Sequence, residues 1–170
     1  LAEYDKLLHY KATMRGKRFL WYVCCGPEFP YTFLRSSLAE SYFIGVITSF
    51  AGLDGFLRWN YTVFNDDPRA DIRYYIFPAG DTNFVYPAKN GAPLLTLRYK
   101  ALRRGIELYE LLERAKETAP DAAQAAFDTL LHTEKWGDPT ALRALPATLD
   151  YTAYATVRRN LILALSGKQK

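Results

Sequence analysis

Cysteine is nearly absent from this sequence: Cys24 and Cys25 are the only two among 170 residues, and they are adjacent. A ring closed between neighbours strains the peptide joining them, so a disulfide framework is excluded as the source of stability. Long apolar runs are also missing. No stretch approaches the ~20 residues that cross a bilayer, and residues 1–10 mix charges with leucines, so neither a spanning helix nor a signal peptide is expected. An excess of one charge is lacking: 22 Lys and Arg against 18 Asp and Glu leave +4. The two signs interleave along the helical stretches instead of forming a stripe, which argues against a nucleic-acid partner. His9 and His132 fall on separate helices without metal-ligand spacing, and no His-Glu-x-x-His, Cys-x-x-Cys or phosphate-cradling glycine loop occurs. No metal, nucleotide or other cofactor is expected. Tandem repeats and low-complexity tracts are absent as well. Position 1 is Leu, not Met, which suggests a segment trimmed from a longer polypeptide.

Apolar and aromatic residues are plentiful. Hydrophobic residues make up 49% and aromatics 15%, with thirteen Tyr, enough for one sizeable core. Tyr and Trp fill cores, but at strand ends they also stack on sugar faces, so position must decide.

Along the chain, residues 3–15 carry Tyr4, Leu7, Leu8 and Lys11 at helical spacing, and Gly16 supplies the left-handed stop. Arg18 to Cys25 is aromatic and β-branched and is closed by Gly26-Pro27, a buried strand with its breaker. Ser37-Leu38-Ala39-Glu40 is a capping box opening an apolar helix that runs to Ala51-Gly52. Asp54 to Asn60 reads as a second strand, parallel to the first through a right-handed crossover. Residues 61–81 lack any sustained period, and long irregular loops in compact domains tend to be functional. Asn83 to Pro87 is a third short strand, and Lys89-Asn90-Gly91 a turn. A long helix follows from Thr96 to Lys116, its inward stripe read as Ala101, Leu102, Gly105, Ile106, Tyr109 and Leu112. Thr118-Ala119-Pro120-Asp121 starts another helix, and a last one follows Asp150 with Tyr154, Val157, Leu161 and Leu165 facing inward. The fold class is therefore α/β, with strand-helix units followed by helices.

Ordered motifs run through this pattern: Trp21-Tyr22-Val23-Cys24-Cys25-Gly26-Pro27, Leu53 to Trp59, Asp66-Asp67-Pro68, Gly80-Asp81, Val85-Tyr86-Pro87, Leu97-Arg98 and Gly105 to Leu112. Together they resemble the last third of the catalytic barrel of glycoside hydrolase family 123, a bacterial group that includes β-N-acetylgalactosaminidases. The resemblance covers residues 3–114. It implies a partial (β/α)₈ barrel, about the last three βα units, in residues 1–117, and a C-terminal helical extension in 118–170; a whole barrel needs eight strands and about 250 residues. It also implies a retaining, substrate-assisted β-N-acetylhexosaminidase that uses the substrate's own acetamido oxygen and an adjacent Asp-Glu pair at the end of the fourth strand. No Asp-Glu or Glu-Asp dipeptide occurs here. The pair would lie upstream, so no catalytic residue is assigned and the segment alone should be inactive. Leu108 departs from the family pattern, where Asp is frequent, and this bears on helix packing.

The expected partner is carbohydrate, an N-acetylhexosamine glycan bound by the parent, with no membrane partner; exposed strand edges suggest a homodimer. Secreted, periplasmic and cell-surface locations stay open for the parent. Ligand sites of such barrels form past the C-terminal ends of the strands, here Cys24 to Pro27, Arg58 to Tyr61 and Tyr86 to Pro87. Trp59 is a sugar platform or a core filler. Arg58 alternates with it and should point away, toward a structural carboxylate. Asn60, Asp66 and Asp81 are further candidates for sugar hydroxyls, Asp67 reads as a turn residue, and Tyr22 and Tyr86 line the pocket or pack in the wall. A non-catalytic carbohydrate-binding or structural domain is the alternative.

Overall fold

The computed structural model describes residues 4–23, 29–88, 91–131 and 150–167, so Cys24 to Pro27, Lys89, Asn90 and His132 lie outside the described residues. Helix α1 spans Tyr4–Thr13, and Gly16 takes a positive φ of 76° just beyond it. Strand β1, Leu20–Trp21, pairs in parallel with β2, Gly55–Phe56, in the register Leu20 opposite Gly55 and Trp21 opposite Phe56. Asp54 fixes that register twice: its backbone N–H donates to Phe19 O at 2.8 Å, and its carboxylate accepts the Phe19 N–H at 2.6 Å. Between the strands lies α2, Leu38–Phe50, whose capping box is complete. Ser37 Oγ accepts from Ala39 N, and Glu40 accepts the Ser37 N–H with one oxygen and the Tyr31 N–H with the other. Glu40 therefore starts the helix and anchors the incoming chain as well.

Helix α3, Leu97–Thr118, is capped by Thr96, whose hydroxyl accepts from Tyr99 N and donates to Phe84 O. It is followed by α4, Pro120–Leu131, with Pro at the first helical position. Helix α5, Tyr151–Leu165, starts behind the Asp150 cap. Helices α2 to α5 share one core built on Phe43, Val46, Phe50, Leu108, Leu112, Phe127, Leu130, Tyr154 and Leu161. At its centre α2 and α3 touch backbone to backbone through Gly45 and Gly105, a contact that only residues without Cβ allow.

Two sequence expectations change. Among the described residues the strands form two separate pairs, not one three-stranded parallel wall. The third expected strand is β3, Val85–Tyr86, and it runs antiparallel to β4, Leu94–Leu95, a segment with no alternating pattern of its own. Thr62 likewise meets Asn83 in antiparallel sense. The regular strands are two residues each, too short for periodicity to reveal their partners. The inward stripe of α3 is also rotated. Ile106 is 54% exposed, whereas Leu108, Ala115 and Arg98 are buried. Gly105, Leu108, Leu112 and Ala115 recur every three or four residues as one stripe, and that stripe faces the core that α3 shares with α2, α4 and α5. Leu108 therefore packs as plain core.

Candidate functional site

The chain leaves β2 at Phe56 and enters the segment that carries Arg58 and Trp59. Because the strand has already ended, the two side chains do not alternate; both turn to Asp81. The Trp59 indole Nε1–H donates to Asp81 Oδ1 at 3.2 Å, and the Arg58 guanidinium lies 3.4 Å from the same oxygen. Arg58 also donates to the backbone carbonyls of Gly80, at 3.1 Å, and of Asp81. Asp81 is 1% exposed, so the carboxylate offered by the sequence to sugar hydroxyls is committed inside the protein. Trp59 stays 36% exposed, and Phe77 lies beside it with ring centroids 4.9 Å apart and the planes tilted by 45°. An indole tied at its N–H and flanked by one aromatic neighbour presents a flat apolar surface of the kind that stacks on the C–H face of a hexose.

Sequence reasoning missed what holds this knot. Arg98, on the first turn of α3, is 5% exposed. It donates to Thr32 O and Gly80 O at 2.7 Å and to Asn83 O at 2.9 Å. It therefore ties two stretches of chain, Thr32 and residues 80–83, to the start of α3. Burial pulls its pKa down, to about 10, with the Arg58 charge adding to the effect, and it stays a cation at neutral pH. Arg58 and Arg98 both sit over the Phe84 ring, 5.0 and 5.4 Å from its centroid, which softens the cost of holding two like charges near each other. One local signal existed. A cation in the first turn of a helix opposes the helix dipole, so Arg98 at that position already hinted at a tertiary role.

The segment 80–84 is fastened further. Val63 N donates to Thr82 O at 3.1 Å, Thr82 Oγ1 to Val63 O at 2.9 Å, and Phe84 N to Tyr61 O at 2.9 Å. Tyr61 stacks on Phe84, and burial, then the neighbouring Tyr99, raises its pKa. The loop before this segment ends in a tight turn in which Tyr74 O accepts from Phe77 N, with Tyr75 at φ 52° and both Tyr75 and Ile76 projecting outward. Asp67 is the turn residue the sequence suggested, its carboxylate capping Arg69 N and Ala70 N.

The remaining candidates are spread more widely. Tyr22, directly after β1, is 61% exposed, Asp66 is exposed, and Asn60 and Tyr86 are half-buried. Asn60 Oδ1 accepts from the next backbone N–H. Among the described residues, no hydrogen bond, ion pair or ring contact links Tyr22, Asp66 or Tyr86 to Trp59. Nor, among them, is there a group of three or more His, Cys, Asp or Glu placed to hold a metal, or a helix long and apolar enough to cross a membrane.

Comparison with known proteins bears on what this arrangement serves. Residues 3–115 match the family model described as glycoside hydrolase 123, catalytic domain. The chain belongs to the glycoside hydrolase 123 family. Among solved structures, a family 123 glycoside hydrolase from Clostridium perfringens, investigated for glycolipid glycan hydrolysis, superposes with a TM-score of 0.70 at 18% identity. That likeness covers 97% of this chain and 30% of the clostridial one, so this family 123 chain spans under a third of its structural relative. No curated protein sequence matches. The chain is thus a helix-rich α/β, glycosidase-like segment with few strands.

Proposed function

We propose that this chain is the closing part of a (β/α)₈ barrel in a larger glycosidase and supplies one wall of its sugar pocket. The observation that carries this reading is the half-exposed Trp59 ring, held by Asp81 and Phe77 just past the C-terminal end of a parallel strand pair. Barrel enzymes assemble their sites at that end. Trp59 is the platform for an N-acetylhexosamine ring, Tyr22, Asn60, Asp66 and Tyr86 are proposed as further sugar contacts, and Asp81 holds the indole N–H. Residues 1–117 form the barrel part, and 118–170 a helical extension that shares its core. Hydrolysis is retaining and substrate-assisted, and the Asp-Glu pair belongs to another part of the polypeptide, because this sequence contains no such dipeptide. The test is release of nitrophenol from a chromogenic β-N-acetylgalactosaminide. Full-length polypeptide is expected to turn it over, and residues 1–170 alone are expected to show no turnover; activity of residues 1–170 alone would contradict the assignment.

A second reading has its own support. Leu20 on β1 and Leu94 and Leu95 on β4 are exposed apolar residues at strand edges, and such edges pair with further chain. The rest of the barrel covers them in the first reading. In the second, where the chain serves as a binding or interaction domain without hydrolysis, another copy covers them in a homodimer.

A further inference from the structure

We infer that Asp81 is a positioning residue: its buried carboxylate sets the orientation in which Trp59 presents its ring, and Arg98 holds Asp81 in the place where it can do so. The inference rests on the reading of Trp59 as a sugar platform and adds the device that aims it. A buried carboxylate is costly unless its lone pairs are used, and the atom used here, Oδ1, is shared between Arg58 and the indole N–H. An ion pair with Arg58 alone would need no contact with Trp59. The indole, in turn, is partly open to solvent, so its N–H could find water without any protein partner; a protein acceptor restricts the ring to one tilt.

Restricting a ring requires a rigid acceptor. Arg98 takes the carbonyls of Gly80 and Asn83, the residues bracketing Asp81 and Thr82, and ties both to Thr32 on a different stretch of chain. Gly80 adopts φ 86°, and a Cβ there would lie 2.6 Å from the Arg98 guanidinium and 2.9 Å from Leu34 N. The glycine thus lets the arginine close down on the backbone directly before Asp81. A platform that is already oriented loses less entropy on binding than one that must be ordered by the ligand.

The experiment uses the full-length polypeptide, with the Trp59 indole ¹H–¹⁵N resonance and the Kd for a non-hydrolysable β-thio-linked N-acetylgalactosaminide measured in parallel. In Asp81→Ala the indole signal is expected to move and to exchange faster with water, and Kd to rise at least tenfold. In Asp81→Asn, whose amide oxygen still accepts, the indole signal is expected to stay protected and Kd to remain within threefold. Trp59→Phe keeps Asp81 and removes the donor together with part of the ring area, so it serves if Asp81→Ala does not fold; it is expected to weaken binding several-fold. An unmoved, protected indole signal in Asp81→Ala, or Trp59→Phe binding as tightly as the parent, would overturn the positioning role. Trp59→Ala separates the two ideas. If it leaves Kd unchanged, the platform reading fails, while the indole measurement still reports on whether Asp81 fixes the ring.

Discussion

Replacing Gly45 with alanine is expected to destabilise the protein by about 3 kcal/mol or more, at or above the upper end of the usual overpacking range. For a chain of this size that corresponds to a fall in Tm of roughly 6–12 °C. The added methyl would overlap the Gly105 carbonyl group of the facing helix, with the carbonyl carbon only 2.5 Å away. The reciprocal change, Gly105→Ala, would bring its Cβ to 2.7 Å from Ser41 O and 2.9 Å from Tyr42 O. All of these neighbours are backbone atoms, so no rotamer change relieves the clash; α2 and α3 must separate, and the core between them opens. The sign is diagnostic. At an uncrowded helix position, glycine to alanine stabilises by up to about 1 kcal/mol. Thermal unfolding therefore distinguishes the two cases, and an unchanged or raised Tm would show that the helices do not meet at these residues.

Arg98→Ala has the second largest expected effect. It leaves the carbonyls of Thr32 and Asn83 without their donor in a buried place, while Gly80 O keeps Arg58, and each unsatisfied acceptor costs about 1–3 kcal/mol. Removing the buried cation returns part of this, because its lowered pKa reflects a desolvation cost. The net loss is expected at roughly 3 kcal/mol. Arg98→Lys should recover less than half of it, since one compact ammonium cannot span three carbonyls that a planar guanidinium reaches together. Urea unfolding measures both, and hydrogen exchange should quicken in residues 80–84 first. A lysine variant as stable as the parent would show that a positive charge, not the fork, is what the site requires.

The helices were legible in the sequence because their ends carry chemistry. Ser37 with Glu40, Thr96, Asp150 and the positive-φ glycines Gly16 and Gly52 mark them as local events, each decided by a few neighbouring residues. The strand partners were not legible. Leu94 and Leu95 carry no signal that they meet Tyr86 and Val85, since pairing is a non-local choice. The site failed in a related way. Arg58 and Trp59 read as alternating because β2 was expected to continue to Asn60, and with the strand ending at Phe56 both were free to turn to Asp81. Arg98 was visible as a motif residue but not as a clamp, because its partners are backbone carbonyls, which no residue type announces. The family motifs, by contrast, depend on the order of many residues together, and residues 3–115 carry enough of them to identify the family.

That Trp59 meets a sugar is tested most directly by fluorescence. With Trp21 and Trp136 replaced by phenylalanine in this chain, Trp59 is its sole indole, and any other tryptophans of the full-length polypeptide are replaced likewise. Titration with a non-hydrolysable β-thio-linked N-acetylgalactosaminide is expected to shift or quench its emission in a saturable way. An emission that no hexosamine changes, in a protein shown to be folded, would contradict the sugar-platform account.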